Sequence, residues 1–371
     1  MKLILALTFS LIVFGATAQA PKYTFSITED GVSLLTNNEK DSLFKSLDGF
    51  LKYKNGSIFE NPYVDAAYAR KEINPFEWSF NVEKEGDDAN FYKPTVLAAV
   101  PVVPHQQYLI KLAYAGVTPE KEIKYRISYS LLAKRQGDKF YFYSPLEYNT
   151  RNWGRKQVGS VKYIYPNQLN LAKARQMDKF NKSLARKMSV PVLAATYYRC
   201  DDPEQLFKMM GYDYIGNMYL STSGGLAKQW KNELLAGNNS EWYPHELVHC
   251  YTDKVFAKNN RIVSEGYATY LGGSGGWTLD QTKVFAKSYL DEHPKIDITE
   301  AFTNFERVQY NIPITYIISG LICRDIEAKY GFLQIRELFK TDKDEDYFKI
   351  LEQITGITKA QFPVYVKKLI Y

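Results

Sequence analysis

Hydrophobic residues recur at helical spacing in residues 39–53 and in patterns typical of strands in the stretches that follow. The first segment predicts an amphipathic helix whose apolar face comprises Leu43, Leu47, Phe50 and Leu51. The later segments, rich in β-branched and aromatic residues, predict strands at 78–82, 95–103, 108–114, 125–133 and 139–144. A turn at 136–138 joins the last two strands, so this part of the chain is predicted to be α+β.

The pattern changes near residue 159 to strand, helix, strand and helix in succession. These four elements are predicted at 161–165, 171–188, 192–198 and 203–210. After residue 273 the sequence is mostly helical, and Thr278 and Thr358 each precede a glutamine at the spacing of a capping box. We therefore predict an α+β chain with two domains, 19–158 and 159–371. The helix and curled antiparallel sheet of the first domain resemble the cystatin-like or the nuclear-transport-factor-like cone, and the role of this domain stays open.

The N-terminal residues predict an export signal. Lys2 precedes an apolar run at 3–14, and small residues at 16–18 mark a cleavage site. The apolar run is shorter than the ~20 residues that a membrane-spanning helix needs. We expect a signal peptide at 1–18, a mature chain that starts at Gln19, and no integral membrane segment after cleavage. The mature protein is then expected to be soluble and exported, either periplasmic or extracellular.

Composition and charge narrow the classes of partner. The 371 residues are 45% hydrophobic and 24% charged, which is ordinary for a globular protein. The net charge of +6, from 47 basic and 41 acidic residues, is modest, so we expect no nucleic acid or anionic membrane as a partner. Cys200, Cys250 and Cys323 match no cysteine-based zinc pattern and are too few for a disulfide framework. Export would permit one disulfide, and the sequence leaves the pair open.

Residues 245–249, His-Glu-Leu-Val-His, carry the clearest chemical signal in the chain. Residues four apart lie on one face of a helix, so His245 and His249 can bind a single Zn²⁺. Glu246 lies beside them, where it can act on a water molecule that the metal activates. The alternative is that these three side chains lie on an exposed helix surface and bind no metal.

A catalytic zinc usually has three protein ligands, and Glu265 follows the motif at a distance that suits the third. It begins a predicted helix after a turn at 259–260, and this helix is expected to pack antiparallel to the first. Here the sequence resembles the gluzincin metallopeptidases, in particular the peptidase MA-like group related to thermolysin and the zinc aminopeptidases. In these families HExxH is followed by a glutamate in an [NS]-E-G-x-A-like segment. The resemblance implies that His245, His249 and Glu265 hold one catalytic Zn²⁺ and that Glu246 is the general base.

The same resemblance implies that 159–371 is a zincin-like metallopeptidase domain with a helical C-terminal part. Tyr316, which opens a predicted helix, would stabilise the oxyanion formed during peptide hydrolysis, and Tyr310 is the second choice. The relatives have a strand upstream of the motif that pairs with extended substrate. Here this strand would comprise Gly224, Gly225, Leu226 and Ala227. Its two glycines would permit close backbone approach or would mark a simple turn.

Three features depart from the family pattern. The segment between His249 and Glu265 is shorter than in thermolysin and the aminopeptidases, and Ser264 stands where asparagine is common. Thr269 replaces an acid that often supports a zinc-bound histidine, and such a support changes affinity or activity by ~10–100-fold. Asp253, one turn beyond His249, could take over that role, although an exposed helix acid is the simpler interpretation.

The sequence therefore predicts an exported zinc metallopeptidase that hydrolyses peptide bonds in peptide or protein substrates. A zinc-activated water would attack the bond, with Glu246 as general base. The alternative is an exported peptide- or ligand-binding protein on a catalytically weak or inactive zincin scaffold, motivated by Thr269 and by the additional domain. A purely structural zinc fits less well, because such sites have four protein ligands and Cys250 points away from the metal-facing side of the helix.

Overall fold

The computed structural model describes residues 22–72, 75–220, 224–256, 258, 260–340 and 343–371. The predicted signal peptide at 1–18 lies outside the described residues. The described chain is a mixed α/β protein with two mixed sheets. It divides into two compact units: the first runs to Arg126 and includes Leu131–Tyr143, and the second contains Ile127–Ser130 and Ser144–Tyr371.

The first unit contains strand β1 (Ser26–Ile27) and the predicted amphipathic helix, α1 (Asn37–Tyr53). α1 starts earlier than predicted because Thr36 caps it. The Thr36 hydroxyl accepts from the Glu39 backbone, and the Glu39 carboxylate accepts from the Thr36 N–H at 2.7 Å. The apolar face that the periodicity defined is buried, which confirms the helix. A short helix, α2 (Ala66–Lys71), follows where no element was predicted.

Four longer strands belong to the first sheet. They are β2 (Lys93–Val103), β3 (Gln107–Val117), β4 (Ile123–Gln136) and β5 (Lys139–Tyr143). The strands lie in the order β1-β2-β3-β4-β5, with β1 parallel to β2 and the pairs β2/β3 and β4/β5 antiparallel. α1 packs on this sheet through Phe50, whose ring centroid lies 4.8 Å from that of Phe142. The strands predicted at 95–103, 108–114, 125–133 and 139–144 are thereby confirmed.

The strand predicted at 78–82 is wrong. Glu77–Ser79 forms a single 3-10 turn, in which the Ser79 N–H donates to the Phe76 carbonyl at 2.9 Å. Asn81 then adopts a left-handed backbone conformation, with a φ of 52°, that a regular strand does not contain. The apolar and aromatic content of this segment favoured a strand, but its turn geometry decides the conformation.

The second unit opens with α3 (Leu146–Asn149), followed by β6 (Gly154–Val158), β7 (Val161–Tyr165) and α4 (Leu171–Met188). The next elements are β8 (Ala195–Cys200), α5 (Pro203–Met210), β9 (Tyr212–Ile215), β10 (Gly224–Lys228) and β11 (Glu233–Gly237). Five strands form one sheet in the order β10-β11-β8-β7-β6, and β9 pairs with residues 127–129 of the same unit. β8 is parallel to β7 and β11, whereas the pairs β10/β11 and β6/β7 are antiparallel.

Hydrophobic periodicity located most of these elements. β7, α4 and α5 have the predicted bounds, and β8 is shifted from 192–198 to Ala195–Cys200. β6 precedes the boundary predicted at 158–159, yet it pairs with β7 inside the second sheet. The division between the units therefore falls earlier, between Tyr143 and Ser144.

The remainder of the second unit is helical. Its helices are α6 (Pro244–Val255), α7 (Arg261–Gly272), α8 (Leu279–Glu292), α9 (Ile298–Thr303), α10 (Ile314–Tyr330), α11 (Phe332–Leu338), α12 (Asp344–Thr355) and α13 (Phe362–Ile370). Both predicted capping boxes are present, Thr278 with Gln281 at α8 and Thr358 with Gln361 at a 3-10 turn before α13. Among the helices of the described residues, none is both long enough and apolar enough to cross a membrane.

Two glycines let α7 approach its neighbours closely. A Cβ atom added at Gly266 would overlap the side chain and backbone of Ser319 on α10. A Cβ added at Gly272 would overlap the backbone of His245 at the start of α6. Neither glycine has a positive φ, so glycine is required at these positions by close packing and not by backbone conformation. These contacts fix the position of α7 relative to α6 and α10.

Gly266→Ala should lower the free energy of unfolding by about 1–3 kcal/mol, because the added methyl group overpacks the contact between α7 and α10. Denaturant unfolding followed by circular dichroism measures this change. Gly216→Ala is the matched control, since no described atom lies within 4 Å of its added Cβ. Equal stability of Gly266→Ala and wild type would contradict the close packing.

Candidate metal centre

Two buried histidines project from the first turns of α6. Pro244 occupies the first helical position, where its missing N–H is not needed, and the motif follows immediately. His245 and His249 are each 7% exposed, and their Nε2 atoms lie 3.2 Å apart. The helical spacing of four residues therefore places both imidazoles on one face, as predicted.

Glu265 on α7 meets the two histidines. Its Oε2 atom lies 3.2 Å from His245 Nε2 and 3.6 Å from His249 Nε2. Bonds of about 2.0–2.2 Å in tetrahedral geometry separate two zinc ligands by roughly 3.4 Å. The three separations between these ligand atoms therefore fit one tetrahedral cation, and the group could hold a metal.

The other nitrogen of each imidazole is engaged by a group that orients the ring. His245 Nδ1 lies 2.6 Å from the Gly273 carbonyl oxygen, to which it donates, and His249 Nδ1 lies 3.0 Å from Ser264 Oγ. Each ring is thus fixed with Nε2 directed towards the shared point, which is the arrangement that metal-binding histidines require.

These orienting groups differ from those that the sequence suggested. Asp253 is exposed, so the simpler interpretation of this acid was the right one. Thr269 is buried, and its hydroxyl has no hydrogen-bond partner in the described part of the chain. Ser264 was identified only as a departure from asparagine, whereas it holds His249. The Gly273 carbonyl left no signal in the sequence, because any residue type supplies a backbone oxygen.

The three groups perturb one another electrostatically. Burial by itself would lower the pKa of His245, but its hydrogen bond to Glu265 and the charges of Glu265 and Glu246 raise the pKa to about 9. Burial would raise the pKa of Glu265, yet the two histidines hold it well below its ordinary value. The carboxylate is therefore ionised and available as a ligand at neutral pH.

Glu246 lies on α6 between the histidines and lines the same cavity. Tyr243, just before the motif, lines this cavity as well. Burial, followed by the charges of Glu246 and Glu265, raises the pKa of Tyr243 well above its ordinary value. Tyr243 therefore stays protonated and can donate a hydrogen bond into the cavity, a role that the sequence analysis missed.

The structure separates the two tyrosines proposed for the oxyanion. Tyr316, near the start of α10, lines the cavity with its ring centroid 6.4 Å from that of His245. Burial and the charge of Glu265 raise its pKa to about 12, although Arg261 acts in the opposite direction, so its hydroxyl remains a donor. Tyr310 is 56% exposed and stacks on Trp277, and it is absent from the described residues that line the cavity.

The predicted substrate strand is β10, which forms one edge of the second sheet and lines a cavity of about 490 Å³. The lining residues are Gly224, Gly225, Leu226, Ala227, Gln229, Tyr243, His245, Glu246, His249, Arg261, Ser264, Glu265, Ser274, Gly275 and Tyr316. A Cβ at Gly225 would overlap the Tyr243 ring, whereas a Cβ at Gly224 would meet no described atom within 4 Å. Residue 225 is therefore required to be glycine because the Tyr243 ring approaches it closely, and not because the chain turns there.

All three cysteines are buried and carry free thiols. Burial raises the pKa of Cys200, Cys250 and Cys323, which keeps the thiols protonated. Cys250 is thus neither bridged nor placed with the three ligand atoms.

Comparisons with models of known protein families, with curated proteins and with solved structures find nothing that matches this chain. Its function is therefore proposed below from the geometry of its own residues.

Ser264→Ala should weaken zinc binding about 10-fold or more, because His249 loses the hydroxyl that orients its ring. Competition with a fluorescent zinc chelator measures the dissociation constant. Asp253→Ala is the control and should bind zinc as tightly as wild type, since this carboxylate is exposed. Weaker binding by Asp253→Ala with unchanged binding by Ser264→Ala would reverse the assignment.

Proposed function

We propose that this protein is a zinc-dependent peptidase. The observation that carries the proposal is the convergence of His245, His249 and Glu265 to separations of 3.2–3.6 Å, at the wall of a cavity that Glu246 also lines. Two imidazoles and a carboxylate are a ligand set typical of catalytic zinc, because three protein ligands leave a position for water or substrate. We also propose that the second unit is a zincin-like metallopeptidase domain.

Glu246 is proposed as the general base. A Zn²⁺ bound by the three ligands would supply Lewis-acid polarisation of the scissile carbonyl and of the attacking water. The Glu246 carboxylate accepts the proton that the water loses, and it later delivers that proton to the leaving amine. The Tyr243 hydroxyl, which its raised pKa keeps protonated, is proposed to donate to this carboxylate and to orient it for the reaction.

Tyr316 is proposed to stabilise the oxyanion of the tetrahedral intermediate. Its hydroxyl lies in the cavity wall, and its raised pKa of about 12 keeps the proton that it donates to the developing negative charge. Such a donor acts mainly on the transition state, because the carbonyl oxygen of the bound substrate carries much less charge.

β10 is proposed to bind extended peptide. Among the described strands it pairs only with β11, with Gly225 opposite Ala236 and Ala227 opposite Leu234, and so forms the edge of its sheet. An extended peptide can add to such an edge through main-chain hydrogen bonds, which do not depend on its sequence. A peptide or a protein is accordingly the proposed substrate, and we propose that the chain meets it after export to the periplasm or the extracellular space.

Glu246→Gln should keep stoichiometric zinc but lose peptide hydrolysis by ~10²–10⁴-fold, because the amide cannot accept a proton from water. Cleavage of a quenched fluorescent peptide library, with zinc measured by elemental analysis on the same samples, tests this. His249→Ala is the companion variant and should lose both zinc and cleavage, since two ligands remain.

The alternative function is an exported peptide- or ligand-binding protein on the same scaffold. It would be favoured if wild type binds zinc and peptides but cleaves no member of the library. Cleavage by Glu246→Gln at the wild-type rate would remove the proposed mechanism, and absence of zinc after reconstitution would remove the metal centre itself.

Tyr316→Phe should lower kcat by ~10²–10³-fold with a small effect on KM, because its hydroxyl is proposed to bind the oxyanion and not the ground-state carbonyl. Steady-state kinetics on the best library peptide separates the two parameters. Tyr310→Phe is the matched control, because Tyr310 lies exposed against Trp277, and its kinetics should match those of wild type. A larger loss in Tyr310→Phe would reverse the roles of these residues.

A further inference from the structure

Arg261 is a cationic group in the cavity wall that the proposed reaction does not use. It is the first residue of α7, one helical turn before Glu265, and it lines the cavity together with that ligand. No carboxylate of the described residues lies within ion-pair distance of its guanidinium. Within the described residues its charge thus has no carboxylate partner, although it lies beside the candidate metal centre.

The guanidinium is nevertheless held in place. It lies over the Phe305 ring at 4.4 Å from the centroid, and its charge lowers the pKa of the nearby Tyr316 hydroxyl. The Phe305 ring in turn contacts Tyr316 edge-on, with centroids 6.4 Å apart. Stacking uses the face of a guanidinium and leaves most of its in-plane N–H donors free, which is the geometry that binds carboxylates in a bidentate manner.

The position of Arg261 on its helix opposes its charge. The N-terminus of a helix carries a partial positive charge, so acidic residues are favoured in the first turn and basic ones are disfavoured. Asn260 caps α7 by accepting from the Val263 N–H, and the cation follows directly. The helix end and the guanidinium therefore both contribute positive charge at this position, and both favour an anion.

A second arginine nearby differs in its contacts. Arg307 also contributes positive charge at Tyr316, but it donates to the Asn311 carbonyl at 2.7 Å and is not among the described residues that line the cavity. Arg261 is thus the arginine that a substrate in this cavity would meet.

We propose that Arg261 binds a carboxylate of the substrate and gives the peptidase a preference for anionic peptides. This inference rests on the proposed function. Residues one turn apart on a helix have Cβ atoms about 5–6 Å apart, and an extended peptide advances about 3.3 Å per residue. The carboxylate therefore lies within one or two residues of the scissile bond. It belongs to the C-terminus of a short peptide or to an acidic side chain.

Four versions of one cleavable peptide distinguish these sources. They combine a free or amidated C-terminus with an aspartate or an asparagine next to the scissile bond. Wild-type kcat/KM should fall about 10–100-fold when the recognised carboxylate is neutralised, as expected for hydrogen bonds to a charged group. If amidation lowers kcat/KM, the recognised group is the C-terminal carboxylate. If replacement of aspartate by asparagine lowers kcat/KM, the recognised group is the acidic side chain.

Arg261→Gln should abolish this preference, so that charged and neutral peptides give similar kcat/KM values, and Arg261→Lys should retain part of it. Arg175→Gln, which removes an exposed charge from α4, is the control and should keep the wild-type ratio. A loss in Arg261→Gln shared equally by charged and neutral peptides would overturn the proposal, since Arg261 would then act only through Tyr316.

Binding measurements separate this inference from the proposed function. Zinc-loaded Glu246→Gln is titrated with the four peptides by calorimetry, alone and combined with Arg261→Gln. Tighter binding of a charged peptide, lost in the double variant, supports carboxylate recognition even if wild type hydrolyses none of the peptides and the peptidase proposal fails. Equal affinity for charged and neutral peptides, or no binding of any, would overturn the inference.

Discussion

The close packing of α7 is the constraint on which the site depends. His245 and His249 are brought together by the period of a single helix, but Glu265 reaches them only because α7 lies against α6 and α10 without intervening side chains. Gly272 packs directly on the backbone of His245, and Gly266 packs on Ser319. A shift of about 1 Å in α7 would take the carboxylate out of ligand distance, so the glycines that shape the core also define the candidate metal centre.

His245, His249 and Glu265 affect one another's ionisation because they are buried together. Burial of an ionised carboxylate beside two imidazoles would be costly if the three were independent. Instead the pKa of His245 is raised and that of Glu265 is lowered, which means that a positive charge on the His245 imidazole balances the carboxylate charge. A proton can link the carboxylate to only one imidazole at a time. A tetrahedral cation would bond all three ligand atoms together. The same three atoms could therefore hold a metal ion in place of the proton.

Local patterns in the sequence predicted what depends on local structure. The bounds of α4 and α5, the capping box at Thr278 and the pairing of His245 with His249 follow from helix period and capping chemistry. The strand at 78–82, the division at 158–159 and the role considered for Asp253 depended on tertiary context, and the structure differs in each case. The Gly273 carbonyl and the cavity position of Arg261 could not be predicted, because a backbone oxygen has no sequence signal and only the tertiary packing of α7 brings this exposed arginine to the cavity.

The cavity is lined by charged groups of both signs. Glu246 and Glu265 are carboxylates and Arg261 is a guanidinium, and all three line the same cavity. Burial and the charges of the two carboxylates raise the pKa of Tyr243, whereas the pKa of Tyr316 is raised by burial and by Glu265 but lowered by Arg261. Tyr243 therefore lies where negative charge dominates, and Tyr316 lies where charges of both signs act. Because no carboxylate of the described residues forms a salt bridge with Arg261, a substrate bound under the proposed function would meet both signs of charge.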